Sequence, residues 1–260
     1  MLKSLLSTLG VYRIYEKWLF DQIKSQPKPE HIAIILDGNR RWAQDHSMDP
    51  NVGHYYGADK TEKVLRWCLD LGVKTITFYA FSTENFSRSP EEVEELMSLF
   101  EGKLQEILED EDIRKYKVRV KAIGRINQLP ENLQEMITKV EESTKNYDQH
   151  FLNLAIAYGG RAEIVDAAKD IAQHIVDGTL SPDEIDEAVF EKHLYTSYLP
   201  KQEPDLVIRT SGEERLSGFL LYQSAYSELF FLDVYWPEFR LIDILRAIRT
   251  FQKRKRRFGQ

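Results

Sequence analysis

Asp37 stands at the end of an apolar run, residues 32–36, and is followed by Gly38, Asn39, Arg40 and Arg41. Residue types in that order suit phosphate chemistry. Gly38 and Asn39 allow a tight turn, the N–H groups of such a turn and of a helix start cradle phosphate oxygens, and two guanidinium groups strengthen the cradle. A carboxylate beside an anion repels it unless a cation lies between them. Asp37 therefore points to Mg2+ bridging the carboxylate and a diphosphate, a hard cation with oxygen ligands. The plainer reading is an Asx turn with solvated arginines; the run, the aspartate, the glycine and the double arginine together favour phosphate binding. A second polar cluster, Ser82-Thr83-Glu84-Asn85-Phe86-Ser87-Arg88, and a third, Arg209-Thr210-Ser211-Gly212-Glu213-Glu214-Arg215-Leu216-Ser217, each follow another apolar run. The third holds two arginines and hydroxyls around a glycine, the donors that a second anionic group needs. Glu228 is a carboxylate among apolar residues, and either a metal or a nearby arginine would be its partner.

Strands and helices must bring these clusters together. Residues 32–36, with their β-branched side chains, read as a strand buried on both faces of a parallel sheet. Further strands are expected at 73–81, 118–123, 151–157, 205–210 and 228–232, and helices at 54–71, 130–147, 162–176 and 241–255. Ser181-Pro182-Asp183-Glu184 reads as a capped helix start running toward His193, and the polar stretch 44–53 as an exposed, mobile loop. This alternation predicts an α/β fold: a single domain with a mainly parallel six-stranded sheet covered by helices. The three clusters then fall at carboxyl ends of strands, where open sheets bind ligands. Ser89-Pro90-Glu91-Glu92 starts another helix with an N-cap, a proline and a glutamate three residues on. That helix carries Val93, Leu96, Met97, Phe100, Leu104, Ile107 and Leu108 on one stripe. Such a stripe is ordinarily core; springing from the second cluster, it could also wall an apolar tunnel.

The chain has 260 residues, 42% of them hydrophobic, enough for one large core, and its net charge of −7 argues against general nucleic-acid binding. Cys68 is the only cysteine, so an intramolecular disulfide and a Cys-rich zinc site are excluded and a reducing, cytoplasmic setting fits. The six histidines lack paired ligand spacing such as His-Glu-x-x-His. Residues 1–30 form an amphipathic helical arm: Leu2, Leu5, Leu6 and Leu9 share a face and Tyr12, Trp18, Leu19 and Ile23 continue it. The arm is expected to pack on its own protein, with an interfacial anchor as the other reading. No segment reaches the roughly 18 apolar residues of a membrane span, and the absence of a small-residue cleavage site argues against a signal peptide. The basic tail from Lys253 to Arg257 reads as a solvated helix end.

Taken together, the three clusters resemble the cis-prenyltransferases, the family of undecaprenyl and dehydrodolichyl diphosphate synthases. The resemblance spans residues 31–259 and rests on His31-Ile-Ala-Ile-Ile-Leu-Asp-Gly-Asn-Arg-Arg-Trp42, Gly53-His54, Phe81-Ser-Thr-Glu-Asn-Phe-Ser-Arg88, Asp205-Leu-Val-Ile-Arg-Thr-Ser-Gly-Glu213, Arg215-Leu-Ser217 and Trp236-Pro-Glu238. The Arg-Arg pair and the Arg-Thr-Ser-Gly-Glu variant look like archaeal and eukaryotic members. It implies the family's fold, with an apolar tunnel in a catalytic domain over 31–260, and its reaction, condensation of isopentenyl diphosphate onto an allylic prenyl diphosphate of the farnesyl or geranylgeranyl class. By the resemblance Asp37 would hold Mg2+ and assist departure of a diphosphate cradled by Gly38, Asn39, Arg40 and Arg41, with Trp42 and His54 lining that site. Asn85 would assist proton removal, and Ser82, Thr83, Glu84, Phe86 and Arg88 would shape the junction between substrates. Arg209, Arg215, Leu216 and Ser217 would hold isopentenyl diphosphate, and Glu228 would be a second metal carboxylate. Arg257 and Gly259 would complete the site of the neighbouring subunit in a homodimer. The product would be a long polyprenyl diphosphate, precursor of a lipid glycosyl carrier, released with peripheral membrane contact.

One departure stands out. Thirteen residues after the motif aspartate many members carry a phosphate-binding arginine, whereas this chain has Pro50, with neither charge nor N–H. A missing charge-assisted hydrogen bond is worth about 1.5–3 kcal/mol, so relaxed acceptor choice or regiochemistry is a second reading. Two others are a phosphatase or phosphotransferase with Asp37 as nucleophile or metal ligand, which leaves residues 82–88 and the apolar stripe unexplained, and an accessory subunit without activity, against which Asp37, Asn85, Arg209, Arg215 and Glu228 are all present.

Overall fold

The computed structural model describes residues 11–254. Its strands are β1 (His31–Ile35), β2 (Thr75–Tyr79), β3 (Val118–Ile123), β4 (His150–Ala155), β5 (Leu206–Arg209) and β6 (Glu228–Phe231). They form one sheet in the order β3-β4-β2-β1-β5-β6, and every neighbouring pair is parallel. All five residues of β1 are buried, because helices cover both faces. Ile32 and Ile34 join one core with Phe78, Leu245 and Trp236, while Ala33 and Ile35 join the other with Tyr79, Val207 and Phe219. The two-residue period of a strand thus feeds two cores from one apolar run.

The chain leaves β1 toward β2 on one side and reaches β5 on the other, so the strand order reverses between β1 and β5. Loops leaving their carboxyl ends diverge there and open a crevice. The helices are α1 (Val11–Lys24), α2 (Asn39–Asp45), α3 (Val52–Asp70), α4 (Pro90–Glu109), α5 (Glu111–Lys115), α6 (Glu131–Thr144), α7 (Gly160–Val176), α8 (Glu187–Glu191) and α9 (Leu241–Lys253). α4 starts as its sequence dictates, with Ser89 Oγ accepting the Glu92 N–H at 3.2 Å and Pro90 at the first position. The segment after Ser181 differs from expectation. Pro182–Glu184 makes only a 3-10 turn, and Asp186 begins the separate helix α8 by accepting the Val189 N–H at 2.8 Å. The two caps, Ser181 and Asp186, are five residues apart and compete for the same backbone, so neither helix grows long.

The described part of the arm packs on its own protein. Leu19 and Ile23 of α1 are fully buried, Gln252 Nε2 donates to the Ile23 carbonyl at 3.1 Å, and Arg246 and Arg249 of α9 lie over the rings of Tyr15 and Trp18. Leu2, Leu5, Leu6 and Leu9 lie outside the described residues. Among the described residues no helix is long and apolar enough to cross a membrane.

A polar chain crosses the sheet inside this core. Asn153 Nδ2 donates to Thr77 Oγ1 at 2.7 Å, which leaves the threonine hydrogen for His31 Nε2 at 2.8 Å. His31 is fully buried; burial drives its pKa down to about 4, with the charge of Asp205 only partly offsetting it. A folded value below the unfolded one means that the unfolded chain takes up the proton first, so this stability is complete above the ordinary histidine range and is lost as pH falls through it. From about pH 7 to about pH 5 the loss from His31 is about 2 kcal/mol. Urea unfolding across that range should therefore show stability falling with pH, and His31→Gln should flatten the slope; an equally steep slope in the variant would contradict a buried neutral His31.

Candidate active site

Asp37 follows β1 and Thr210 follows β5, and the two loops are tied together. The Asp37 N–H donates to Thr210 Oγ1 at 3.1 Å and the Thr210 hydroxyl donates to the Asp37 carbonyl at 2.6 Å. The Asp37 carboxylate accepts from Arg209 Nη2 at 2.8 Å on one oxygen and from Arg41 Nη2 at 3.2 Å on the other. Burial alone raises its pKa, but the hydrogen bond and charge of Arg209, with the charge of Arg41, outweigh it and hold the carboxyl below the usual range. Gly38 makes the turn: its φ is 103°, and a Cβ there would meet the Tyr235 ring at 2.7 Å and Ser211 Cβ at 3.0 Å.

Arg209 is 4% exposed and its second nitrogen donates to Ser217 Oγ at 2.8 Å and to the Arg215 carbonyl. Its Nε is buried with no partner among the described residues. Arg41 also donates to Ser211 Oγ at 2.6 Å and reaches Glu213, which in turn pairs with Arg215. Leu216 packs in the smaller core under this loop.

Arg40, His54 and Arg88 gather around Glu92. Arg88 Nη1 lies 2.8 Å from Glu92 Oε1, Arg40 Nη1 3.1 Å from Oε2 and His54 Nε2 3.3 Å from Oε1. Glu92 was legible in sequence only as a helix-capping residue; its position four after Arg88 was the signal of an ion pair. Burial lowers the His54 pKa first and the charge of Arg88 lowers it further, against the raising effect of Glu92. Trp42 is buried and packs on His46 and Tyr56 with centroids 4.5 and 4.7 Å away. Asn39 packs so closely on α3 that a Cβ on Gly57 would stand 2.5 Å from its Oδ1.

Residues Thr83–Ser87 make a 3-10 turn after β2. Asn85 Oδ1 accepts the Ser82 N–H at 2.9 Å, so its amide nitrogen is the group left to the site, a donor rather than a base. Thr83 Oγ1 donates to Glu84 Oε2 at 3.2 Å. Phe86 packs edge-on against Phe81, which packs on Phe100 of α4. Behind the polar groups lies a cavity of about 170 Å3 between the sheet and helices α3 and α4. Asn39 and His54 line it together with Leu36, Phe78, Ala80, Leu96, Phe100, Leu104, Leu152 and Ile156. Met97, expected in this wall, is instead a buried core residue that does not line the cavity, since adjacent residues on a helix point about 100° apart.

Glu228 lies elsewhere. It is level with Leu206 at the amino end of β6, paired with Arg254, whereas Asp37 follows the carboxyl end of β1. Strand spacing separates the two by roughly 19 Å, so within this chain they do not share an ion, and an arginine is the glutamate's partner. Arg257 and Gly259 lie outside the described residues. What the structure assembles is five arginines held by three carboxylates, Asp37, Glu92 and Glu213, in front of an apolar cavity. Such an arrangement can take two anionic groups and a hydrocarbon together.

The model of the undecaprenyl diphosphate synthase family matches residues 35–259. The chain belongs to that family. It is a prenyltransferase with the cis-prenyltransferase fold. It is 56% identical over 255 residues to the tritrans,polycis-undecaprenyl-diphosphate synthase (geranylgeranyl-diphosphate specific) of Methanocaldococcus jannaschii, covering 98% of this chain and 91% of the relative. To the protein of the same name from Pyrococcus horikoshii it is 53% identical, covering 96% and 94%. The crystal structure of lavandulyl diphosphate synthase from Lavandula x intermedia in complex with dimethylallyl diphosphate superposes with a TM-score of 0.86 at 38% identity, over 90% of this chain and 99% of that one.

Within this prenyltransferase, replacing Glu92 by Gln removes the one group that raises the His54 pKa. The His54 ring should then titrate at lower pH in an NMR titration; an unchanged or higher midpoint would show that the carboxylate charge does not act on it.

Proposed function

We propose that this chain condenses isopentenyl diphosphate onto geranylgeranyl diphosphate in repeated cis additions, giving a long polyprenyl diphosphate that serves as precursor of a lipid glycosyl carrier. The observation that carries the reading is Asp37 with Arg209 and Arg41 at the head of an apolar cavity. The substrate named for the archaeal relatives supports geranylgeranyl over farnesyl diphosphate as primer. Arg40, Arg41 and Arg88 would bind the allylic diphosphate, and Arg209, Arg215 and Ser217 the isopentenyl diphosphate. Separate fixed anion sites keep the double bond of one substrate beside the carbon that loses diphosphate from the other. The C–O bond to the diphosphate breaks, the new C–C bond forms from the isopentenyl π electrons, and a proton leaves the isopentenyl unit. Asn85, as a donor, suits orienting the group that takes this proton.

An ionised oxygen ligand among arginines fits Mg2+, which is commonly held by one or two carboxylates and substrate phosphates. Asp37 would hold it, and the bound ion would supply neutralisation of the leaving diphosphate. The homodimer, with Arg257 and Gly259 completing the neighbouring site, rests on the family resemblance. Action in the cytoplasm at the membrane surface is supported by the hydrocarbon product and by Trp18 and Phe20, each 42% exposed on α1. Pro50 supports a second reading, relaxed acceptor choice, since it stands in the turn before α3 with no charged group.

Each five-carbon unit buried contributes about 3–4 kcal/mol at roughly 0.8 per carbon, so the depth of the apolar cavity should limit the product. Purified protein with Mg2+, radiolabelled isopentenyl diphosphate and separate geranyl, farnesyl and geranylgeranyl primers should elongate geranylgeranyl diphosphate fastest, and Phe100→Ala should lengthen the products. Phosphate release without elongation would overturn the function; an unchanged product ladder in Phe100→Ala would overturn the wall assignment alone.

A further inference from the structure

Far from the arginines, three potential metal ligands converge on the opposite part of α7. Asp170 and His174 are one turn apart on this helix, and His193, two residues past α8, reaches them: its Nδ1 lies 2.7 Å from Asp170 Oδ2, and the two imidazoles meet edge to face with centroids 5.3 Å apart. One ligand atom from each of the three residues lies within 4.8 Å of the others. His174 is about 20 Å along the helix axis from Gly160, where α7 leaves the diphosphate site.

Hydrogen bonds fix which nitrogens are available. Thr179 Oγ1 donates its only hydrogen to the His174 carbonyl at 3.1 Å, so at 2.8 Å it accepts from His174 Nδ1. The proton therefore sits on Nδ1 and Nε2 carries a free lone pair. A carboxylate oxygen can only accept, so His193 Nδ1 donates to Asp170; an ion that takes the place of this shared proton would be bound by Nδ1 and Asp170 Oδ2 together. Holding His174 Nδ1 by a hydroxyl so that Nε2 is left for a metal is the usual support for a ligating histidine. Among the described residues no lysine or arginine pairs with Asp170, and His193 is its hydrogen-bond partner.

We propose that His174, His193 and Asp170 form a binding site for a divalent transition-metal ion of the Zn2+ class, separate from the diphosphate site. Two imidazoles and one carboxylate suit Zn2+, Ni2+ or Cu2+, whereas Mg2+ prefers an all-oxygen set. A tetrahedral Zn2+ with bonds near 2.0–2.1 Å needs ligand atoms about 3.4 Å apart. His174 and Asp170 are exposed and His193 is half-buried, so small side-chain rotations close the set and water fills the remaining position. The ion would clip the end of α7 to α8. That segment leads directly into Tyr195 and Thr196, whose N–H and hydroxyl bond Glu163 at 2.9 Å and Gln223 at 3.0 Å in the core.

The test uses the full chain, stripped with chelator and kept in excess Mg2+, titrated calorimetrically with Zn2+. Wild-type protein and Asp37→Ala should each bind one Zn2+ per chain. His174→Ala and, independently, His193→Gln should weaken that binding about tenfold or more, and Zn2+ should slow hydrogen exchange over residues 187–196 in wild type and Asp37→Ala but in neither histidine variant. Equal binding by wild type and both histidine variants, or no Zn2+ binding by wild type, overturns the proposal, and neither readout depends on turnover.

Discussion

The pair between Asp37 and Arg209 joins the two strands on either side of the reversal in the sheet, and the site is arranged around it. Arg209 depends on the pair more than Asp37, which also has Arg41: removing the partner of a buried charge leaves it uncompensated, at a cost of about 3–5 kcal/mol. Arg209 is also the group that holds Ser217 and the Arg215 carbonyl. One guanidinium therefore sets the position of the carboxylate after β1 and of the loop after β5. The ties between Asp37 and Thr210 make that geometry independent of any bound anion.

The same logic extends outward. Five cationic side chains placed around one crevice repel one another, and Asp37, Glu92 and Glu213 each pair with two of them, which offsets part of that repulsion. On the proposed function, arriving diphosphate groups would exchange for these carboxylates as partners of the arginines, so the cradle would need little reorganisation on filling. The apolar cavity behind it is walled by a sheet face and the stripe of α4. On the proposed function, the charged groups would hold the heads of the substrates while the hydrocarbon leaves water.

Much of this was legible in the sequence because it is local. The buried β1 run, the turn at Gly38, the capped start of α4 and the arginines and hydroxyls of 209–217 announce themselves within a few residues, and strands alternating with helices dictate a parallel sheet. What was not legible depends on distance in the fold. Glu92 reads as a cap because its partners Arg40, His54 and Arg88 arrive from α2, α3 and the turn before α4. Glu228 reads equally as a metal ligand or an ion-pair partner until the parallel register puts it at the far end of the sheet, beside Arg254. Met97 shares a stripe with Leu96 and Phe100 at sequence resolution but turns into the core. His174 and His193 show no ligand spacing along the chain, since the irregular path from Gly178 through α8 is what folds one back onto the other.

On the proposed function, prenyl transfer depends on Asp37. Its single-turnover rate of prenyl transfer with saturating geranylgeranyl and isopentenyl diphosphates and Mg2+ should fall about 100-fold or more in Asp37→Ala, with circular dichroism unchanged. A variant that transfers as fast as the unaltered protein would contradict it.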